Sequence, residues 1–348
     1  MNSERLSRKS WPRRHKWLIA LVLLLAVSFA AVQAVKYFIQ IDRYREYVVR
    51  MIEERTGMPV SIERLELALL PQPMVTARHV TLDDGELRVQ CREVRATARW
   101  RGLLSREINV TSVTLVDLDA AIPADLGAVN SRIKTVRERM KTHDRPDSPW
   151  RVTVDRVQAR SARISMAGLD RPVFEGSFEA RDVLSETVPV GVAASLPFLG
   201  EPARLEAEIV ATIDRDAEPA VIPSGWIEVR NVDPREVFDR DAMPPLIFES
   251  RAVFAEITPD AIGMDITGEA MAAQDAPELV RAAAGPFTGK LWLREGDIIV
   301  NDLHLQAPNL TLEADATRSA DGALACEIRS ARVYGDAILF NTGGICKF

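Results

Sequence analysis

Glu86-Leu87-Arg88-Val89-Gln90-Cys91-Arg92 carries apolar side chains only at odd positions, and Val94-Arg95-Ala96-Thr97-Ala98-Arg99-Trp100 carries them only at even ones. Period two marks a strand with one face against apolar material and the other in water. The scheme returns at Ile108 with Val110, Val113 with Leu115, Val152-Thr153-Val154 and Leu205-Glu206-Ala207-Glu208-Ile209. It returns again at Ile227-Glu228-Val229 and Leu310-Thr311-Leu312-Glu313-Ala314. Turn markers separate the runs: Asp83-Asp84-Gly85, Arg101-Gly102, Pro223-Ser224-Gly225, Glu295-Gly296-Asp297 and Asp321-Gly322. About eighteen strands at a spacing of roughly 8–12 residues predict a mainly β protein with antiparallel, meander-like sheets.

Helices are few. Leu126, Val129, Ile133, Val136 and Met140 step by three and four residues and predict a helix over 123–142 with a narrow apolar seam. Short helices are expected after Asp233, with Pro234 at the first position, and over 277–284, closed by Gly285-Pro286. Such pieces cannot cover some eighteen strands. The apolar face must meet another sheet, curl upon itself, or be covered by something other than protein. His143-Asp144-Arg145-Pro146-Asp147-Ser148-Pro149 reads as a linker or an insertion between two β regions, 57–122 and 150–348, with 123–149 as helix and linker.

Ahead of the strands, residues 17–35 form an uncharged apolar segment, with Trp17, Leu18, Leu24, Phe29 and Val35 along it. As a helix it spans roughly 28 Å, enough for a hydrocarbon core of about 30 Å. Arg5, Arg8, Lys9, Arg13, Arg14 and Lys16 against Glu4 give residues 1–16 a net charge of +5; the whole chain is −6, so the remainder carries −11. The basic tail is expected to stay cytoplasmic and the body to cross the membrane. The competing reading is a cleaved signal peptide ending at Val32-Gln33-Ala34, but the apolar run is longer than a signal core. Residues 36–56 are expected to leave the membrane as an amphipathic helix. Phe38, Ile41, Val48, Met51 and Ile52 form its stripe, and Tyr37, Tyr44 and Tyr47 with Lys36, Arg43 and Arg45 its interfacial belt. Gly57-Met58-Pro59 stops it.

The acidic body argues against nucleic acid, which calls for a basic stripe. Arginines, 37 against 7 lysines, alternate with apolar residues in the strands and so define a solvated outer face. Cys91, Cys326 and Cys346 form no CxxC pair; Cys91 and Cys326 fall among apolar positions and read as small hydrophobes, with a Cys91–Cys326 disulfide as the alternative. His15, His79, His143 and His304 lack metal-ligand spacing, and Asp117-Leu118-Asp119 lacks the rest of a calcium loop. Gly285-Pro286-Phe287-Thr288-Gly289-Lys290-Leu291 falls short of a phosphate-cradling loop in spacing and in its last residue. It is expected to be a turn entering a strand over 290–294. No catalytic residues, metal ligands or cofactor are expected, and the chain reads as a non-enzyme.

The order of parts resembles the AsmA family. Basic tail, single anchor and exit helix lead into Gly57-Met58-Pro59-Val60-Ser61-Ile62, Leu65-Glu66-Leu67-Ala68-Leu69-Leu70-Pro71-Gln72-Pro73 and Ala77-Arg78-His79-Val80-Thr81-Leu82. Val94-Arg95-Ala96, then Gly102-Leu103-Leu104-Ser105-Arg106-Glu107-Ile108 and Val113-Thr114-Leu115 complete the likeness over residues 15–120. Residues 285–322 resemble the family's C-terminal repeats, as in Gly289-Lys290-Leu291-Trp292-Leu293 and Pro308-Asn309-Leu310. The resemblance implies a Gram-negative inner-membrane protein, single-pass, with its body in the periplasm. It further implies a long curled β-groove carrying phospholipid acyl chains, and a part in outer-membrane lipid homeostasis and envelope integrity.

A groove lined by Leu65, Leu67, Leu69, Val80, Leu82, Leu87, Val89, Val94, Ala96, Ala98, Ile108, Val110, Val113 and Leu115 is therefore expected. The other reading is an envelope assembly or scaffold factor, its sheets closed into a dry sandwich and its protein partners bound at sheet edges.

Overall fold

The computed structural model describes residues 41–85, 87–101, 107–123, 135, 151–200, 202–213, 221–236, 245–258, 260–274, 276–294, 297–319, 324–333 and 344–347. The expected anchor at 17–35, with Trp17, Leu18, Leu24, Phe29 and Val35, lies outside them, as does nearly all of the helix-and-linker stretch. Among the described residues no helix is long and apolar enough to cross a membrane.

The first helix is Ile41–Thr56; residues 36–40 of the expected exit helix, with Lys36, Tyr37 and Phe38, lie outside the described residues. Tyr44 and Tyr47 are exposed, while Val48, Val49 and Ile52 pack against Val60, Ile62, Ala77, Val80 and Cys91. Each half-buried aliphatic contributes on the order of 1 kcal/mol. The helix ends at Gly57, whose φ of 71° suits a residue without Cβ and whose N–H donates to the Glu53 carbonyl at 2.7 Å.

Strands fill the rest. They are β1 (Val60–Ala68), β2 (Met74–Asp83), β3 (Arg88–Ala98), β4 (Glu107–Ile122), β5 (Arg151–Val154), β6 (Arg156–Met166), β7 (Phe174–Arg181), β8 (Thr187–Ser195) and β9 (Arg204–Ile213). After them come β10 (Val221–Val232), β11 (Leu246–Ile257), β12 (Ala261–Ala272), β13 (Gly285–Arg294), β14 (Asp297–Ala307), β15 (Leu310–Arg318), β16 (Leu324–Val333) and β17 (Gly344–Lys347). Segments β5 and β6 run end to end beside β4, so the seventeen segments occupy sixteen positions in one open, curled sheet. The first helix guards the β1 edge: the Glu53 carboxylate accepts the Val60 N–H at 3.0 Å, and Arg45 donates to the Glu63 carbonyl at 3.0 Å.

Three expectations are corrected. The ladder is antiparallel except where β4 meets β5 and β6, which run parallel to it, as in Leu115 beside Ala159. The chain returns to the same end of the sheet through residues 123–150, the long crossover that a parallel pair requires. The ladder therefore continues unbroken between the regions before and after that crossover. Second, residues 285–289 are no turn. Strand β13 begins at Gly285, where a Cβ would come within 2.5 Å of the Gln306 carbonyl, so glycine there permits a close approach of strands. Third, the closed sandwich does not form: the strands make a single open sheet, and among the described residues no large side chain is fully buried. The two short helices sit where expected, as a 3-10 turn Pro234–Glu236 and a helix Glu278–Ala282 against β12.

Alternation slips by one residue at a shared level of the first strands. Ile62-Glu63-Arg64-Leu65 in β1, Ala77-Arg78-His79-Val80 in β2, Cys91-Arg92-Glu93-Val94 in β3 and Ala159-Arg160-Ser161-Ala162 in β6 each place two polar residues between two apolar ones. The backbone absorbs the slip with left-handed residues at His79 (φ 49°), Asp117 (φ 51°) and Ser161 (φ 57°). The slip returns the apolar residues beyond it to the same face in these strands.

Candidate functional site

Directly opposed residues of neighbouring strands share a face, so the register shows how far that apolar face extends. Leu65 opposes Ala77, Ala77 opposes Val94, Val94 opposes Leu115, and Leu115 stands beside Ala159. The row goes on through Phe178, Val192, Ala207, Ile227 and Ala252 to Ile266. A second row begins Ile62, Val80, Cys91, Leu118, Ala162 and, beyond a glycine, reaches Ala194 and Leu205. Toward the other end Phe287, Leu305, Leu312 and Ala331 continue the same surface.

Twelve of the fourteen expected lining residues fall on this face by register. Leu67 shares a row with Ala96 and Val113, Leu82 with Val89, and Ala98 with Val110, while Ile108 stands beside Val152. Leu69 lies just past the end of β1 and Leu87 just before β3, both half-buried. Sequence reasoning missed Val60, Ile62, Val75, Ala77, Leu118 and Ala120, which complete the same rows, and it stopped at β4. The signal was present in the later strands, whose alternation matches that of the earlier ones.

This face is open. Val75, Val152 and Leu293 on it are 38%, 47% and 38% exposed, whereas the side chains it buries most completely are alanines such as Ala159 and Ala162. The polypeptide leaves a long apolar surface half in water.

The opposite face is mainly ionic, with Val210, Ile222, Trp226 and Val253 also on it. Arg163 pairs with Glu175 at 3.2 Å, Arg92 with Asp117 at 3.0 Å, and Arg329 with Asp302 at 2.9 Å and Asp315 at 3.0 Å. Arg251 lies 4.4 Å over the Trp226 ring. The Arg181 hydrogen bond holds the Glu179 carboxyl below the usual carboxylate range. Exposed pairs of this kind add at most about 1 kcal/mol each and keep the face wetted. Two hollows, of 820 and 660 Å³, lie across β4–β9 and β6–β10. They are lined largely by ionic-face residues such as Arg163, Glu175 and Arg204, with both signs interleaved, and by none of the fourteen expected groove residues. Leu118, Ala162, Ala194 and Leu205 of the second apolar row also line the first hollow, and Ala159, Phe178, Val192 and Ala207 of the first row line the other.

Among the described residues no group of His, Cys, Asp and Glu side chains is placed to hold a metal. Among the described residues His79 has Glu63 at 2.7 Å and His304 has Glu313 at 3.9 Å as acidic neighbours within salt-bridge reach. Cys91 is buried, its thiol directed to the Glu93 and Val116 carbonyls at 3.2 and 3.3 Å, and burial raises its pKa. No protein-family model, curated protein or solved structure matches this chain.

Proposed function

We propose that the protein is a membrane-anchored, periplasmic lipid-binding and lipid-transfer β-groove of the AsmA-like kind, supporting outer-membrane lipid homeostasis. The observation that carries this reading is the apolar surface running from β1 to β16, on which, among the described helices, the first packs at the β1–β3 end and leaves the rest uncovered. Acyl chains fit it chemically. They are long and apolar, as is a sheet face made mostly of Val, Leu, Ile and Ala, with Ser250 and Arg318 as polar members. Burying a methylene is worth about 0.8 kcal/mol relative to water, so a sixteen-carbon chain gains on the order of 10 kcal/mol. A lipid leaving a bilayer gives up a similar amount, and the net preference is small. Weak net preference suits a carrier that must release its cargo.

The test compares full-length wild type with Val94→Asp, both purified in mild detergent and both checked for unchanged circular dichroism. Mass spectrometry is expected to find at least one phospholipid more per chain in wild type. Equal lipid content in the two folded proteins would overturn the reading.

A further inference from the structure

Strand β17 is four residues long and pairs only with β16 among the described residues, at the last position of the sheet. So short an edge strand, held by one neighbour, gains little from its own hydrogen bonds. Its register is specific: Cys346 directly opposes Cys326, with Ala325 opposite Lys347 and Glu327 opposite Ile345. Opposed residues of an antiparallel pair have Cα atoms roughly 4.5 or 5.5 Å apart. A disulfide accepts Cα separations of roughly 4.4–6.8 Å, so this register meets its first geometric requirement.

We propose that Cys326 and Cys346 form a cross-strand disulfide that fastens the terminal strand to the sheet. The two thiols together lose two protons and two electrons as the S–S bond forms. The electrons pass by thiol–disulfide exchange to a donor disulfide, which leaves as two thiols. The bond closes a loop of about 20 residues, long enough to restrain the unfolded edge appreciably.

The third cysteine is excluded on separate grounds. Segments β4 to β15 stand between Cys91 and Cys326 in the ladder, and the Cys91 thiol is buried against two carbonyls of its own neighbourhood. The pairing considered from sequence, Cys91 with Cys326, therefore gives way to one set by strand register. The proposal uses the periplasmic reading above only for the source of oxidant in the cell; its test needs neither lipid nor location.

Full-length protein in mild detergent is reduced, transferred to oxidised glutathione, quenched with iodoacetamide, and digested with trypsin without reduction. Cleavage after Arg318, Arg329, Arg332 and Lys347 separates the Cys326 and Cys346 peptides, and cleavage after Arg88 and Arg92 isolates Cys91. The expected product is peptide 319–329 linked to peptide 333–347, with Cys91 carrying no cross-link. Hydrogen exchange of β16 amides is expected to slow on the order of 100-fold on oxidation in wild type, and to be unaffected in Cys346→Ser. Cys326 and Cys346 recovered only as alkylated or glutathione-capped thiols would overturn the proposal. So would a Cys91–Cys326 link as abundant as the Cys326–Cys346 link.

Discussion

His79 and Asp117 hold left-handed backbone, φ 49° and 51°, at one level of the sheet, on strands that flank Arg92 of β3. Asp117 pairs with that arginine at 3.0 Å, and His79 pairs with Glu63 of β1 at 2.7 Å. Here the apolar alternation changes phase, and without the change every apolar residue beyond it would turn to the ionic side.

A β-branched residue cannot adopt this backbone without strain. Asp117→Val is therefore expected to lower stability by about 2 kcal/mol, and Asp117→Gly to leave it within about 0.5 kcal/mol despite the lost ion pair. Urea denaturation of both variants checks this. Equal losses would show that the ion pair, rather than the backbone, matters.

The phase change is the most legible feature of the fold once its form is known. Ala77-Arg78-His79-Val80, Ala159-Arg160-Ser161-Ala162, Val229-Arg230-Asn231-Val232 and Val300-Asn301-Asp302-Leu303 share the order apolar, polar, polar, apolar. In each, the third residue has positive φ and is His, Ser, Asn or Asp. Asn, Asp and His tolerate left-handed backbone best among residues with a Cβ. The strands and their apolar face were legible because alternation is a local property. The parallel seam at Leu115 and Ala159 was not, since pairing direction depends on where a crossover delivers the chain. The helical seam at 126–140 was the available hint, because a long connection bearing a helix commonly joins parallel strands.

Two glycines on adjacent strands are expected to behave oppositely. A Cβ on Gly176 would lie 2.3 Å from the Ala193 carbonyl and 2.5 Å from the Ala194 side chain, whereas one on Gly191 meets nothing within 4 Å. Gly176→Ala is expected to cost about 3 kcal/mol or more, because backbone cannot step aside. Gly191→Ala is expected to be neutral or to gain about 0.5 kcal/mol by restricting the unfolded chain. Thermal melts of the pair decide; a destabilised Gly191→Ala would contradict the strand packing described.

Burial raises the Cys91 thiol above its ordinary value of 9.0. The folded state thus retains a proton that the unfolded state has already released. Its contribution to stability is fully present below pH 9 and is lost as pH rises through the folded value. Between pH 9 and 10.5 wild type is expected to lose more stability than Cys91→Ala, read as the difference in urea midpoint. Parallel curves for the two proteins would contradict the assignment.

Ala96 faces the apolar side of β3 and Arg95, its chain neighbour, the ionic side. A photo-reactive benzoylphenylalanine at each position, irradiated in intact membranes with the full chain present, reads directly whether acyl chains occupy one face. The account predicts phospholipid adducts at position 96 and none at position 95. Adducts at both positions in equal yield, or at neither, would contradict it.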